Sequence, residues 1–287
     1  MSTLAPMKAF TFNGVAVAAV TPFTQRGDFD LPLLRDLIEW WIGEGIEGIV
    51  LAGSSGEKAY VNREERLELF EFGVAAVKGR VPVIAGTGFP GTLETIQTTQ
   101  AAAALGVDAA LVVTPYYYPL SDEALIAHYQ AVADGSKIPL LLYNMPPFTH
   151  VNLSPQAICT LAQYKNIVGV KDSAGNLEQL KTTLALVPRS FCVLTGSFPL
   201  LSEAVAAGAK GAILAMANLI PGPCVQIRRL AAAGKAQEAK ALSTEFDHLQ
   251  AWIKAHGIPG IKQKLAQWRH PAGWPRRPLL PVGAVES

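Results

Sequence analysis

Short, continuously apolar runs alternate with longer amphipathic stretches from one end of the chain to the other. The runs are VAVAAV (15–20), GIVLA (48–52), VPVIAG (81–86), AALVVT (109–114), IPLLLY (138–143), IVGVK (167–171), CVLTG (192–196) and GAILA (211–215). None alternates apolar with polar residues, so each reads as a strand covered on both faces. Between them the apolar positions follow a helical spacing, and several stretches carry a start signal. Asp30 precedes LPLLRDLIEWW, Asn62 precedes REERLELFEFG, and Ser154 precedes PQAICTLAQ, with Pro155 suited to the first helical position. Strand and helix in unbroken succession form βα units, whose parallel strands need helical crossovers. Eight such units in 287 residues predict an α/β fold, the (β/α)8 TIM barrel. A doubly wound sheet is the competitor, but it uses fewer strands and places its dinucleotide fingerprint after the first. Helical patterns near 236–256 and 260–268 predict a C-terminal helical extension, and the Pro-rich stretch from His270 to Pro281 predicts an irregular tail. No linker-like break interrupts the chain. It reads as one domain over 1–287, with the barrel at 12–233 and the helical extension and tail at 234–287.

Composition narrows the function. A net charge of +1 with 16% charged residues gives no electrostatic footprint for nucleic acid or an anionic membrane. Cys159, Cys192 and Cys224 are odd in number and widely spaced, which argues against a disulfide framework and a thiolate zinc site and for a reducing compartment. The amino-terminal MSTLAPMKAFTF lacks the apolar core of a signal peptide, and the greasy stretch 199–220 is interrupted by Glu203 and Lys210. A cytoplasmic enzyme or binding protein without a membrane partner is expected. The five histidines, at 128, 150, 248, 256 and 270, have no ligand spacing, so no metal site is expected. His128 falls within a helical pattern and reads as exposed or locally satisfied.

In a barrel, chemistry belongs where strands end and βα loops begin. GTGFPG (86–91) satisfies G-x-G-x-x-G, but it follows the third strand, contains Pro90, and has as its nearest acid Asp108, which precedes the next strand. It reads as a glycine-rich loop, not a nicotinamide site. GSSGE (53–57) lacks the last glycine of a nucleophile elbow. Its glycines and short hydroxyl side chains could expose backbone N–H groups to an anion such as a carboxylate, or Ser54, Ser55 and Glu57 could serve only as turn and cap residues. Tyr143 ends one apolar strand, and Tyr116, Tyr117 and Tyr118 follow another. They could form a proton relay or be large hydrophobes with satisfied hydroxyls. Lys171 ends the sixth run. A strand period of two puts Ile167, Gly169 and Lys171 on one face and Val168 and Val170 on the other. With the second face against helices, Lys171 points into the barrel and Gly169 leaves room beneath it. Burial disfavours an ammonium, and a neutral lysine amine attacks carbonyls to form a Schiff base. The competing reading is a lysine snorkelling to the rim.

Taken together, GSSGE, TPYYYP, YNMP and GVKDSAGN, in this order on successive strands, resemble the dihydrodipicolinate synthase / N-acetylneuraminate lyase family of Schiff-base aldolases. The resemblance runs from about residue 12 to 268 and includes VTPF after the first strand and GIPGIKQKL near the end. It implies a TIM barrel that works without metal or organic cofactor. Lys171 matches the Schiff-base lysine, and Tyr143 matches the tyrosine that shuttles protons to and from the imine. Ser54 and Tyr117 match that tyrosine's hydroxyl partners, Tyr117 coming from a neighbouring subunit. Ser55 matches the site of the 2-oxo acid's carboxylate, and Gly196 and Ile213 match positions lining the pyruvate pocket. The resemblance also implies a homotetramer built as a dimer of dimers. The substrate is expected to be pyruvate or a small 2-oxo acid, such as 4-hydroxy-2-oxoglutarate or a 2-oxo-3-deoxy sugar acid. A 4-hydroxy-tetrahydrodipicolinate synthase is the alternative, although Phe148 stands where such members carry a carboxylate-gripping arginine. Phe198 and Pro199 stand where sialic acid lyases place two acids. A non-catalytic barrel that binds a 2-oxo acid is the reading from another class, and the intact set Lys171, Tyr143, Ser54 and Tyr117 argues against it.

Overall fold

The computed structural model describes residues 10–283. Eight parallel strands close into a barrel in sequence order: β1 (Val15–Ala18), β2 (Gly48–Leu51), β3 (Val83–Gly86), β4 (Ala109–Val113), β5 (Leu140–Asn144), β6 (Ile167–Asp172), β7 (Cys192–Thr195) and β8 (Gly211–Leu214). Around them run α1 (Leu31–Gly43), α2 (Arg63–Val77), α3 (Thr92–Ala104), α4 (Asp122–Gly135), the single turn α5 (Pro146–Thr149), α6 (Pro155–Leu161), α7 (Leu177–Leu186), α8 (Leu201–Ala206) and α9 (Pro221–Ala232). The extension is α10 (Ala236–Thr244) and α11 (Asp247–Gln267). The predicted (β/α)8 architecture and its C-terminal helices are both present.

The expected helix starts act as caps. Asp30 Oδ1 accepts from Leu33 N at 3.2 Å, and Ser154 Oγ accepts from Ala157 N at 3.1 Å. Asn62 and Glu65 form a reciprocal capping box at 2.9 Å in each direction. Each satisfies N–H groups that the first turn leaves unpaired, at about 1 kcal/mol per cap.

Side chains alternate between two cores. Val50, Ile84, Leu111, Leu141, Leu194 and Ile213 fill the barrel interior, while Val17, Ile49, Val112, Leu142 and Val170 pack outward against helix residues such as Trp41, Phe70 and Tyr129. One parity expectation is corrected. Leu140 pairs with Ile167 but Leu141 pairs with Gly169, so Val168 is an extra residue in β6. This bulge puts Ile167 in the outer core with Val170 and turns Val168 inward. Downstream of it, Gly169 and Lys171 keep the inward parity, opposite Leu141 and Tyr143. Gly169 does not make room for Lys171: a Cβ there would meet Leu141 Cδ2 at 2.9 Å and the Cys192 backbone. Gly196 makes that room, since its Cβ would stand 2.9 Å from Lys171 Cε.

The extension departs from its two predicted segments. The helix breaks at 245–246, where Phe246 donates to Ser243 O at 3.1 Å and packs on the core. It then runs through α11 across Gly257, whose backbone (φ 57°, ψ −143°) suits glycine alone. The tail is irregular but tied down. Trp274 bridges Phe23 in antiparallel sense, and Arg276 donates to Gly27 O, Tyr60 O and Glu65 while lying 4.2 Å from the Phe23 ring centroid. Among the described residues no helix is long and apolar enough to cross a membrane.

His128 in α4 is buried rather than exposed, with 5% of its surface accessible; Nδ1 lies 2.9 Å from Thr92 Oγ1, while Nε2 has no hydrogen-bond partner among the described residues. Burial pulls it down to about 4. Between pH 6.5 and 4 the unfolded imidazole takes up a proton that the folded one resists, so stability falls as pH drops through that window. His128→Leu is expected to reduce this acid-side loss by about 3 kcal/mol. Denaturant titrations of both proteins at pH 7 and pH 4.5 check it.

Candidate active site

The site is assembled from strand ends. After β2 the chain folds back through 52–57, with Ala52 (φ 49°) and Glu57 (φ 59°) held in the left-handed region. Such residues cost about 1–2 kcal/mol each and persist where the surroundings fix them. Within the turn, Gly56 N donates to Gly53 O and Glu57 N to Ser54 O, both at 3.1 Å. The N–H groups of Ser54 and Ser55 find no protein acceptor among the described residues. Ser55 is buried. Two adjacent free amides beside a buried hydroxyl suit an anion.

Tyr143 and Lys171 stand side by side at the ends of β5 and β6, where they are ladder partners. Both are buried, at 3% and 4% exposure. Lys171 Nζ lies 4.1 Å from the Tyr143 ring centroid and donates no hydrogen bond among the described residues. The Tyr143 hydroxyl is 3.2 Å from Ser54 Oγ. The side chain as a whole is buried and its amine sits against a ring face. Gly196, after β7, abuts Lys171 and donates its N–H to Asp172 O at 2.6 Å. Ile213 is fully buried on β8 in the interior cluster that also holds Tyr143 and Leu194. The structure therefore gathers Ser54, Tyr143, Lys171 and Gly196, with Ser55 on the same turn and Ile213 in the barrel beneath.

Tyr117 is not gathered with them. It sits on the loop after β4 at φ 92°, 85% exposed, with its ring edge-on to Tyr118 at 5.0 Å. Beside Ser54 opens a cavity of about 840 Å³ whose wall includes Lys58, Tyr116, Met145, Phe148 and the tail residue Leu279. Phe148 is 66% exposed at its edge.

Two supporting features escaped the sequence reading. Glu57, considered only as a turn or cap residue, is buried and pairs with Lys262 Nζ at 2.6 Å. Lys262 also donates to Thr21 O at 2.7 Å and Trp274 O at 2.6 Å, and Arg276 N donates to Glu57 Oε2 at 2.7 Å. A lone lysine on the buried face of α11, between Ile261 and Leu265, was the available signal. Asn218, within the AMAN stretch, clamps the ends of β1 and β8 by accepting from Val20 N at 3.0 Å and donating to Ala18 O and Ala215 O at 2.8 Å.

An amine, a phenol and a serine hydroxyl converging at the C-terminal mouth of a (β/α)8 barrel place the chain among the barrel enzymes. The profile of the Dihydrodipicolinate synthetase family matches residues 11–286, and the chain belongs to that family. A 4-hydroxy-tetrahydrodipicolinate synthase of Teredinibacter turnerae is 38% identical over 276 residues, covering 96% of this chain and 94% of its own. The chloride-inhibited dihydrodipicolinate synthase from Acinetobacter baumannii, solved in complex with pyruvate, superposes with a TM-score of 0.92 at 35% identity over 96% of this chain and 94% of that one. YagE, a prophage protein of the same family from E. coli K12, also solved with pyruvate, gives 0.91 at 30% identity over 95% and 94%.

Proposed function

We propose that the protein is a class I, Schiff-base lyase acting on pyruvate or a small 2-oxo acid derived from it. The observation that carries this reading is the buried Lys171 amine, 4.1 Å from the ring of Tyr143, whose hydroxyl meets Ser54 Oγ at 3.2 Å. The substrate carboxylate lies on the N–H groups of Ser54 and Ser55 and the Ser55 hydroxyl, which brings the 2-oxo carbon to Lys171. Gly196 and Ile213 shape the space for the pyruvate half. Lys171 Nζ attacks that carbon; Tyr143 gives the oxygen its proton, and water leaves to form an iminium. In the cleavage direction the C4 hydroxyl proton passes to Tyr143 as the C3–C4 bond breaks. The bonding pair moves into the iminium to give an enamine and releases an aldehyde. Protonation at C3 and hydrolysis return pyruvate and free Lys171. Ser54 holds the Tyr143 hydroxyl in line and passes its proton outward. No metal or organic cofactor enters any step. Incubation with pyruvate and borohydride followed by peptide mapping tests the reading: an adduct on Lys171 is expected, and its absence sinks the mechanism.

Tyr143→Phe is expected to lower kcat about 100- to 10,000-fold, the usual worth of a positioned proton donor, while the pyruvate adduct still forms on Lys171. Single-turnover trapping beside steady-state assays separates the two effects. The reading includes a homotetramer of paired dimers in which Tyr117 of the partner subunit completes the relay at Tyr143. The 85% exposure of Tyr117 on its positive-φ turn supports this role. Free Cys159, Cys192 and Cys224 suit a cytoplasmic setting.

The 38% identity to proteins called 4-hydroxy-tetrahydrodipicolinate synthase favours a second reading, condensation of pyruvate with aspartate semialdehyde. Against it, the apolar Phe148 offers no carboxylate clamp at the cavity edge. Turnover of that substrate pair at ordinary enzyme rates would establish it.

A further inference from the structure

Lys58 opens the 3-10 turn Lys58–Tyr60 that closes the serine loop, and it lines the cavity beside Ser54 together with Tyr116, Met145 and Phe148. Its Nζ donates to Gly88 O at 3.1 Å and lies 5.0 Å from the Tyr116 ring centroid. An ammonium has three donors, and this one has a single acceptor among the described residues. No described carboxylate pairs with it. Glu57, the acid on the same wall, is taken by Lys262 at 2.6 Å. Arg66 stands behind Lys58 and donates to its carbonyl at 2.9 Å. Arg66 also donates to the carbonyls of Val61, Gly86 and Gly88, and its charge reinforces the positive potential behind Lys58. Burial, and then the charge of Arg66, hold the Lys58 ammonium well below the usual lysine range. An arriving anion relieves both penalties at once. The cavity lining also includes the apolar Met145 and Phe148, which suit the carbon chain between two polar ends.

We propose that Lys58 recognises a carboxylate at the far end of the substrate, so that the molecule cleaved is a short 2-oxo diacid and not a neutral polyol. This rests on the lyase reading above, with the near carboxylate at Ser54 and Ser55 and the far one at Lys58. The cation is supplied by the loop after β2 and not by position 148, where Phe148 stands.

The test compares pyruvate release from 4-hydroxy-2-oxoglutarate with release from 4-hydroxy-2-oxopentanoate, in which a methyl group replaces the far carboxylate. The full-length protein is used with Lys58→Met, Lys58→Gln and Lys58→Arg. The glutamine variant keeps a donor for Gly88 O and covers the case in which the methionine variant does not fold. The diacid-to-neutral ratio of kcat/KM is expected to fall about 10- to 100-fold in the uncharged variants, through KM, and to recover in Lys58→Arg. An equal fall on both substrates, which a purely loop-tying Lys58 would give, overturns the proposal. So does a wild type that shows no preference for the diacid. Failure of the lyase reading is seen separately, as the absence of a pyruvate–borohydride adduct on Lys171. Calorimetric binding of 2-oxoglutarate then decides the role of Lys58 independently: binding about tenfold weaker in Lys58→Gln supports it, and equal binding overturns it.

Discussion

Lys171→Met is expected to lower turnover of any 2-oxo acid by about ten-thousandfold or more and to leave the barrel as stable as before, or more so. The two halves of this result have one cause. Lys171 is 4% exposed, its Nζ has no hydrogen-bond partner among the described residues, and it lies 4.1 Å from the ring centroid of Tyr143. A buried amine so thinly partnered is a burden on the folded state, which the proposed mechanism explains by its role as the nucleophile. Methionine preserves most of the side-chain volume and removes the charge, while the β6 ladder to Tyr143 and Leu194 runs through the backbone and is untouched. Thermal unfolding and pyruvate trapping, measured on the same preparations, check both halves. Residual turnover above about 1% of wild type would be incompatible with a nucleophilic Lys171. An adduct moved to Lys58 would be equally damaging.

The strands were legible because each lies between two apolar layers and is therefore written as an apolar run; the eight runs and the eight strands agree to within two residues at each end. Helix starts were legible where a cap residue carries its own hydrogen bond, as at Asp30, Asn62 and Ser154. The face of Lys171 was inferred correctly from period two, but the reasoning behind it failed at Ile167. A bulge adds a residue without a mark in the apolar pattern, because Val168 is as apolar as its neighbours. The room for Lys171 was expected from Gly169 and comes from Gly196 for a related reason: what a missing Cβ makes room for depends on the neighbouring strands, not on its own. The Ser54–Tyr143–Lys171 grouping followed from motifs at strand ends, since a closed barrel brings every strand end to one rim. The support beneath that rim did not follow, because Glu57 and Lys262 belong to opposite ends of the chain and neither sits in a local pattern that names its partner.

That support leads to the second large effect. Lys262→Met is expected to destabilise the protein by about 3–5 kcal/mol, because it leaves the Glu57 carboxylate, whose side chain is 0% exposed, facing an apolar replacement. Glu57→Gln should cost less. Glutamine can still accept from Arg276 N, and the Lys262 ammonium keeps Thr21 O and Trp274 O. The double variant Glu57→Gln/Lys262→Met should recover much of the loss, since removing both charges removes both desolvation costs. The pH dependence points the same way. Burial pulls Lys262 down to about 8 even with Glu57 opposing the shift. Between pH 8 and about 10.4 the unfolded lysine holds a proton that the folded one has released, so this group makes the wild type more stable as pH rises through that window, and Lys262→Met should lack that rise. The pair is thus better understood as a locator than as a source of stability. Lys262 ties α11 to the backbone of Thr21 and Trp274, and Glu57 ties the end of the serine turn to Lys262 and Arg276. If so, the double variant should fold well and yet bind pyruvate more weakly, with KM raised and the Ser54 and Ser55 amides less well held. Recovery of stability together with full recovery of KM would show that the turn keeps its shape without the pair.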